Sequence, residues 1–149
     1  MIVQRISPEA TRAVRHRVLW PHRATVADCT IDIDGAPHAV HLGALAPDVV
    51  GVLSLFDQRP DRFPDAFPAE RPVYRLRAMG VLPEWRRQGV GEALIEAACA
   101  EARGLGAEEI WCDARKVALP FYTACGFRFL SELYDIPVIG PHRMMARAL

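Results

Sequence analysis

The stretch Met79-Gly-Val-Leu-Pro-Glu-Trp-Arg86-Arg87-Gln88-Gly89-Val90-Gly91-Glu-Ala-Leu-Ile95 decides the fold of this chain. An apolar strand runs into a short turn, then into a basic, glycine-punctuated loop, and the loop leads straight into a helix. The first amides of a helix have no partner inside it and sit at the positive end of its dipole. A loop built this way suits a phosphate group. Gly89 and Gly91 are expected to bring the backbone close to a ligand and to adopt φ/ψ values that side chains resist. Arg86 and Arg87 add fixed positive charge. The stretch predicts a pyrophosphate cradle.

Two common phosphate loops do not fit. No Lys-Ser/Thr follows Gly91, as a P-loop needs, and Ala93-Leu94 stand where the third glycine of a dinucleotide fingerprint would fall. Arg86-x-x-Gly89-x-Gly91, directly after a strand ending in Val81-Leu82-Pro83, instead resembles the acetyl-CoA signature of the GNAT N-acetyltransferase superfamily. A second motif follows in order. Glu109-Ile-Trp-Cys-Asp-Ala114 reads as a buried strand, and Ala118-Leu-Pro-Phe121-Tyr122-Thr-Ala-Cys-Gly126-Phe127 is similar to the family pattern A-x-x-F/L-Y-x-x-x-G-F. One amphipathic helix separates the two motifs. The pair is far more specific than either alone, and covers the chain from Tyr74 to Phe129.

Composition sets the outer bounds. The 149 residues suit one domain, 1–149, with one core. Hydrophobic residues make up 51% and charged residues 24%, an ordinary globular balance. Eighteen basic and eighteen acidic residues cancel, which argues against a nucleic acid or an acidic membrane surface as partner. The N-terminus lacks a signal-peptide pattern, and no apolar run is long enough to span a bilayer. Cys29, Cys99, Cys112 and Cys125 are scattered without C-x-x-C spacing, as expected for free thiols in a reducing cytoplasm rather than a metal site.

Local signals give the element order. Ile2–Arg5 is a strand candidate, and Ser7-Pro8-Glu9 starts a helix that should reach Leu19 before Pro21. Asp34-Gly35 is a hairpin-type signal. The runs 38–46 and 49–56 read as an antiparallel hairpin, 57–72 as a proline-rich loop, and 73–81 as the strand feeding the cradle. A helix from about Gly89 to Arg103 ends at Gly104 and Gly106. The runs 129–136 and 142–149 are expected to close the sheet as two strands. The class is therefore α/β (α+β). The resemblance implies the acyl-CoA N-acyltransferase fold, a mixed sheet of about six or seven strands flanked by helices and splayed at its centre.

The resemblance also implies roles. Backbone near Met79 and Val81 should pair with the pantetheine arm, and Arg86, Arg87, Gln88, Gly89, Val90 and Gly91 should hold the pyrophosphate. Tyr122 should be the general acid for the departing thiolate. Two positions depart from the family pattern. Arg77 stands where relatives often carry a glutamate base, with Arg75 two residues earlier, and Arg115 stands where they often carry an asparagine that contacts the cofactor, a place from which it is expected either to bind a CoA phosphate or to cap the strand. His41, His142 and Asp57 are the remaining base candidates. Arg75 and Arg77 either bind an acidic acceptor or are ion-paired within the protein. The tail Gly140-Pro-His142 resembles a bacterial subgroup with undefined acceptors, which adds interest to His142.

The expected function is acetyl-CoA-dependent transfer to the amine of an unidentified acceptor, by direct attack in a ternary complex and without metal. The alternative is a non-catalytic acyl-CoA sensor of the same fold. Many relatives form homodimers, so a dimer is compatible with the resemblance.

Overall fold

Ser7 starts the first helix as its sequence promises. Its hydroxyl accepts the Ala10 N–H at 3.2 Å, and Pro8 opens α1 (Pro8–Val14) in the computed structural model, which describes residues 1–149. The helix continues through Leu19 as a wider π turn, closed by Trp20 N–H bonding to Arg15 O at 2.9 Å. It packs on β3 (Val49–Phe56), a strand whose apolar run is buried almost throughout, as both-face burial requires.

Eight strands form the sheet, in the order β1-β2-β3-β4-β5-β8-β6, with β7 against β8. β1 (Ile2–Arg5) and β3 flank β2 (Val40–Leu45), antiparallel on both sides. β4 (Val73–Val81) runs parallel to β5 (Glu109–Arg115), with Val73 opposite Glu109. β5 pairs antiparallel with β8 (Gly140–Ala148) along its whole length. The other helices are α2 (Val90–Gly104) and α3 (Leu119–Ala124). No helix is long and apolar enough to cross a membrane.

The chain divides into two compact units. One comprises Met1–Phe56 and Leu76–Glu101, the other Asp57–Arg75 and Ala102–Leu149. In the first, Gly51 lets α2 lie close to β3. A Cβ added there would come within 3.0 Å of Val90 and 3.1 Å of Leu94, the residues that open the helix after the cradle. In the second, Phe67, Val73, Trp111, Met144 and Ala146 form a buried core, with Phe63, Leu130 and Tyr134 packed on it.

Two expectations need correction. Asp34-Gly35 turns no hairpin, because residues 32–38 form turns and β2 begins only at Val40. Asp34 is held elsewhere, its carboxylate taking the Ile31 N–H at 3.0 Å and both terminal nitrogens of Arg15 at 2.7 and 2.9 Å. The second concerns the closing run 129–136, which splits into β6 (Arg128–Phe129) and β7 (Tyr134–Ile136), both paired with β8. In the gap, Ser131 Oγ accepts the Met144 N–H at 2.9 Å, so a side chain satisfies an amide of β8. This extra division makes eight strands where six or seven were expected.

Arg15 is fully buried, and its Nη2 also donates to Ser54 Oγ at 2.9 Å. Burial alone would raise the Asp34 carboxyl, but the Arg15 hydrogen bonds, the Ile31 amide and nearby positive charge overcome it and hold the group below its usual value. The stabilisation is therefore complete above the unfolded carboxylate pKa of about 3.9 and lost as pH falls through the lower folded value. Removing one partner of a buried pair leaves the other charge uncompensated. Asp34→Ala should cost about 3–5 kcal/mol at neutral pH, measured by urea unfolding. A loss under about 1 kcal/mol, the range of exposed pairs, would contradict this role.

Candidate active site

In the first unit, the chain leaves β4 at Val81, makes a single tight turn over Pro83–Trp85 and enters the basic loop. Arg86 Nε donates to Val81 O at 3.2 Å and Gln88 Nε2 to Glu84 O at 3.0 Å, so these two side chains brace the loop from within. Arg87 and Gly89 both take left-handed backbone, with φ of 60° and 79°. Gly91 does not, so the conformational demand falls on Gly89 alone of the two glycines. A Cβ built on Gly89 meets nothing within 4 Å, which means its side faces open space. The first intrahelical bond runs from Ala93 N–H to Gly89 O at 3.1 Å. The amides of Val90, Gly91 and Glu92 thus precede the helix's own pattern and are suited to bind an anion. These residues fit the pyrophosphate of a CoA ester. Arg87 is exposed and adds charge there.

Before the loop, Ala78 holds a φ of 51° inside β4, a conformation rarely adopted by a residue with a Cβ. Such backbone costs on the order of 1–3 kcal/mol and persists where surrounding structure enforces it. It lies between Arg77 and Met79, so it interrupts strand alternation where the acyl arm is expected. Nothing about an alanine signals this in the sequence. Arg77 packs its guanidinium over the Phe56 ring, 5.9 Å from the centroid.

His41 is 4% exposed, with both ring nitrogens bonded. Nε2 lies 2.9 Å from Asp34 O, which can only accept, so Nε2 carries the proton and Nδ1 accepts from Ser54 Oγ at 2.7 Å. The ring is a fixed link in the Arg15–Asp34–Ser54 network.

The second unit holds Tyr122 on α3, buried between the rings of Phe121 and Phe127 at centroid distances of 5.2 and 5.3 Å. Burial pushes its hydroxyl well above the ordinary value, and Arg115, whose charge acts the other way, does not offset that. Tyr122 therefore keeps its proton at physiological pH. Arg115 ends β5 directly opposite His142 on β8. The His142 Nδ1 lies 2.7 Å from Gly140 O and must donate to that carbonyl, which leaves Nε2 as the nitrogen able to take a proton.

Beside His142 lies a cluster only part of which the sequence pointed to. Asp113 on β5 accepts from the Tyr134 hydroxyl and from Arg75 Nη2, the latter at 2.7 Å. Arg75 also donates to Gln58 Oε1 at 3.0 Å and lies over the Trp111 ring. Arg75 is thus ion-paired within the protein, as one of its two expected roles requires. Burial, reinforced by the bond to Asp113, pushes the Tyr134 hydroxyl far above its ordinary value. Its ring stacks near His142, at a centroid distance of 6.4 Å. Tyr134 and Arg62 carried no motif. Period-two alternation along β5, which puts Trp111 and Asp113 on one face, was the available signal. Asp57, the remaining base candidate, is exposed and adjoins Tyr74 electrostatically.

Comparison with known proteins adds an independent line. The family model for the acetyltransferase (GNAT) family matches residues 5–127. YitI of Bacillus subtilis (strain 168), an uncharacterised N-acetyltransferase, is 34% identical over 149 residues, covering 99% of this chain and 95% of that protein. An aminoglycoside 6'-N-acetyltransferase crystallised with coenzyme A superposes with a TM-score of 0.72 at 14% identity, covering 99% of this chain and 97% of that one. An acyl-CoA N-acyltransferase from Pseudomonas aeruginosa gives 0.72 at 19% identity, covering 99% and 100%. At such identities the structural likeness speaks for the fold.

Proposed function

The chain belongs to the acetyltransferase (GNAT) family and is an acyltransferase; on that premise we propose that it moves an acetyl group from acetyl-CoA to the amine of a small acceptor by direct attack. The observation that carries this is the helix-start cradle, where left-handed backbone at Arg87 and Gly89 precedes the open amides of α2. Acetyl-CoA supplies an activated acetyl thioester. The residues of this chain do the rest.

Val90, Gly91 and their neighbours bind the pyrophosphate through backbone amides, with Arg87 as the local charge. Arg86 contributes chiefly by bracing the loop, since its Nε is committed to Val81 O. Arg86→Ala should weaken acetyl-CoA binding by about three- to tenfold, roughly 0.6–1.4 kcal/mol, in a calorimetric titration. No change would remove Arg86 from the cradle.

Tyr122 delivers a proton to the departing sulfur. Its burial supports this, because it keeps the phenol neutral and excludes competing water. Of the two histidine candidates, His142 is the better proton acceptor, because its Nδ1 donates to Gly140 O and its Nε2 is the nitrogen left to accept, whereas both nitrogens of His41 are bonded. The four cysteines, three of them buried, form no disulfide, which suits a reducing compartment such as the cytoplasm.

The experiment is detection of released CoA by a thiol reagent across a panel of primary amines, with product mass as confirmation. Turnover of at least one amine, with an acetyl group added to the acceptor, is expected. Tight CoA binding with no turnover of any amine would argue against catalysis.

A further inference from the structure

The proline-rich loop after β3 has no role in the chemistry above, yet it walls a cavity of about 460 Å³ in the second unit. Arg59, Asp61, Arg62, Arg75, Trp111 and Asp113 are among its lining residues. That volume is in the range of small-molecule sites. Three arginines against two aspartates leave one positive charge in the lining.

The three guanidinium groups are not equivalent. Arg59 spends its terminal nitrogens on main-chain oxygens, Arg71 O at 2.8 Å and Pro68 O at 2.9 Å, which pins the loop. Arg75 is committed to Gln58 and Asp113 and lies over Trp111. Arg62 is different. Its side chain is 42% exposed, packs over the Tyr134 ring at 4.5 Å, and approaches Asp113 only to 3.6 Å, beyond a good hydrogen bond. Its donors remain available. Asp113 keeps Arg75 and the Tyr134 hydroxyl if Arg62 turns away.

We propose that this cavity binds the carboxylate of the acetyl acceptor, with Arg62 as the residue that reads it. The identification of the occupant as the acceptor rests on the acetyl-transfer function proposed above. The choice of ion follows from charge and shape. A monoanion cancels the single excess charge, and a guanidinium fork matches the two oxygens of a carboxylate. A polycation would meet three arginines while Asp113 is already engaged. Arg62 thus sets specificity for acceptors that carry an acid beside the amine, such as amino acids.

The test uses the full chain and ligand-observed NMR titrations, with N-acetylglycine and N-acetyl-L-phenylalanine as probes, their amides as matched neutral controls, and phenyl phosphate as a second anion. At least one acid should bind about tenfold or more tightly than its amide, the scale of a charge-assisted hydrogen bond. In Arg62→Ala that preference should fall to within about twofold, while Arg62→Lys keeps part of it, and CoA affinity stays unchanged in both. Acids that bind no better than amides overturn the proposal, as does no binding by any probe, or a preference that survives Arg62→Ala. Phenyl phosphate binding more tightly than either acid overturns the carboxylate assignment. Acid preference without CoA release from any amine would leave the cavity assigned and refute the acetyl-transfer function. CoA release with equal use of phenylalanine and phenylalaninamide would do the reverse.

Discussion

Gly89→Val should lower acetyl-CoA affinity by roughly 10²-fold or more, about 2.7 kcal/mol, while the protein stays folded. A valine at φ 79° is strained whatever the space around it, and a β-branched residue is the worst case. Space is not the obstacle, since a Cβ at Gly89 meets nothing within 4 Å. The strain is relieved by moving the loop, and moving the loop takes the amides at the start of α2 out of alignment. Gly89→Asn separates conformation from mere bulk, because asparagine tolerates left-handed backbone. It should retain most of the affinity. If Gly89→Val binds acetyl-CoA as the wild type does, by calorimetry on a protein with native circular dichroism, the cradle lies elsewhere.

Tyr122→Phe should reduce kcat by about 10²-fold, the lower part of the range for general acid catalysis. The ring contacts with Phe121 and Phe127 remain, so CoA affinity and stability should change little. An interaction made only in the transition state lowers kcat and kcat/KM together, whereas a binding role raises KM alone. Single-turnover rates with a true acceptor are the right readout, because slow product release would mask the chemical step. Because burial holds the Tyr122 proton far into the alkaline range, no loss of rate near neutral pH should trace to its ionisation. Wild-type single-turnover rates in Tyr122→Phe would make the tyrosine structural.

The elements that proved legible in the sequence are those whose cause is local. Ser7-Pro8 carries its own cap and start, the 73–81 run is a strand that stops just before the Pro83–Trp85 turn, and Gly106 ends α2 in left-handed backbone at φ 87°. Both GNAT motifs lie in such segments. What stayed hidden depends on partners distant in sequence. Arg15 sits in an ordinary amphipathic helix, and only the fold turns it into the buried partner of Asp34 and Ser54, 19 and 39 residues away. The same interaction explains the failed hairpin, since a turn-forming Asp-Gly pair is equally an available carboxylate. The break at residues 130–133 follows from Ser131, whose hydroxyl takes a backbone amide of β8. Ala78 is the clearest case, because its backbone is imposed by surroundings on a residue with no preference for it.

The candidate site divides along the same line. Gly89 and Tyr122 lie in motifs, and their backbone or burial suits the roles proposed for them. Arg75 pairs with Asp113, 38 residues on, a partner that only the fold brings to it. Arg62 and Tyr134 come from segments with no motif and matter through what the fold sets beside them.

The most direct test of the cofactor assignment is a titration of the isotope-labelled protein with acetyl-CoA, followed amide by amide in ¹⁵N–¹H NMR spectra. Saturable binding with the largest shifts at the amides from Arg87 to Glu92 is the predicted result. Saturable binding that leaves those amides unmoved, or no binding at all, would contradict it.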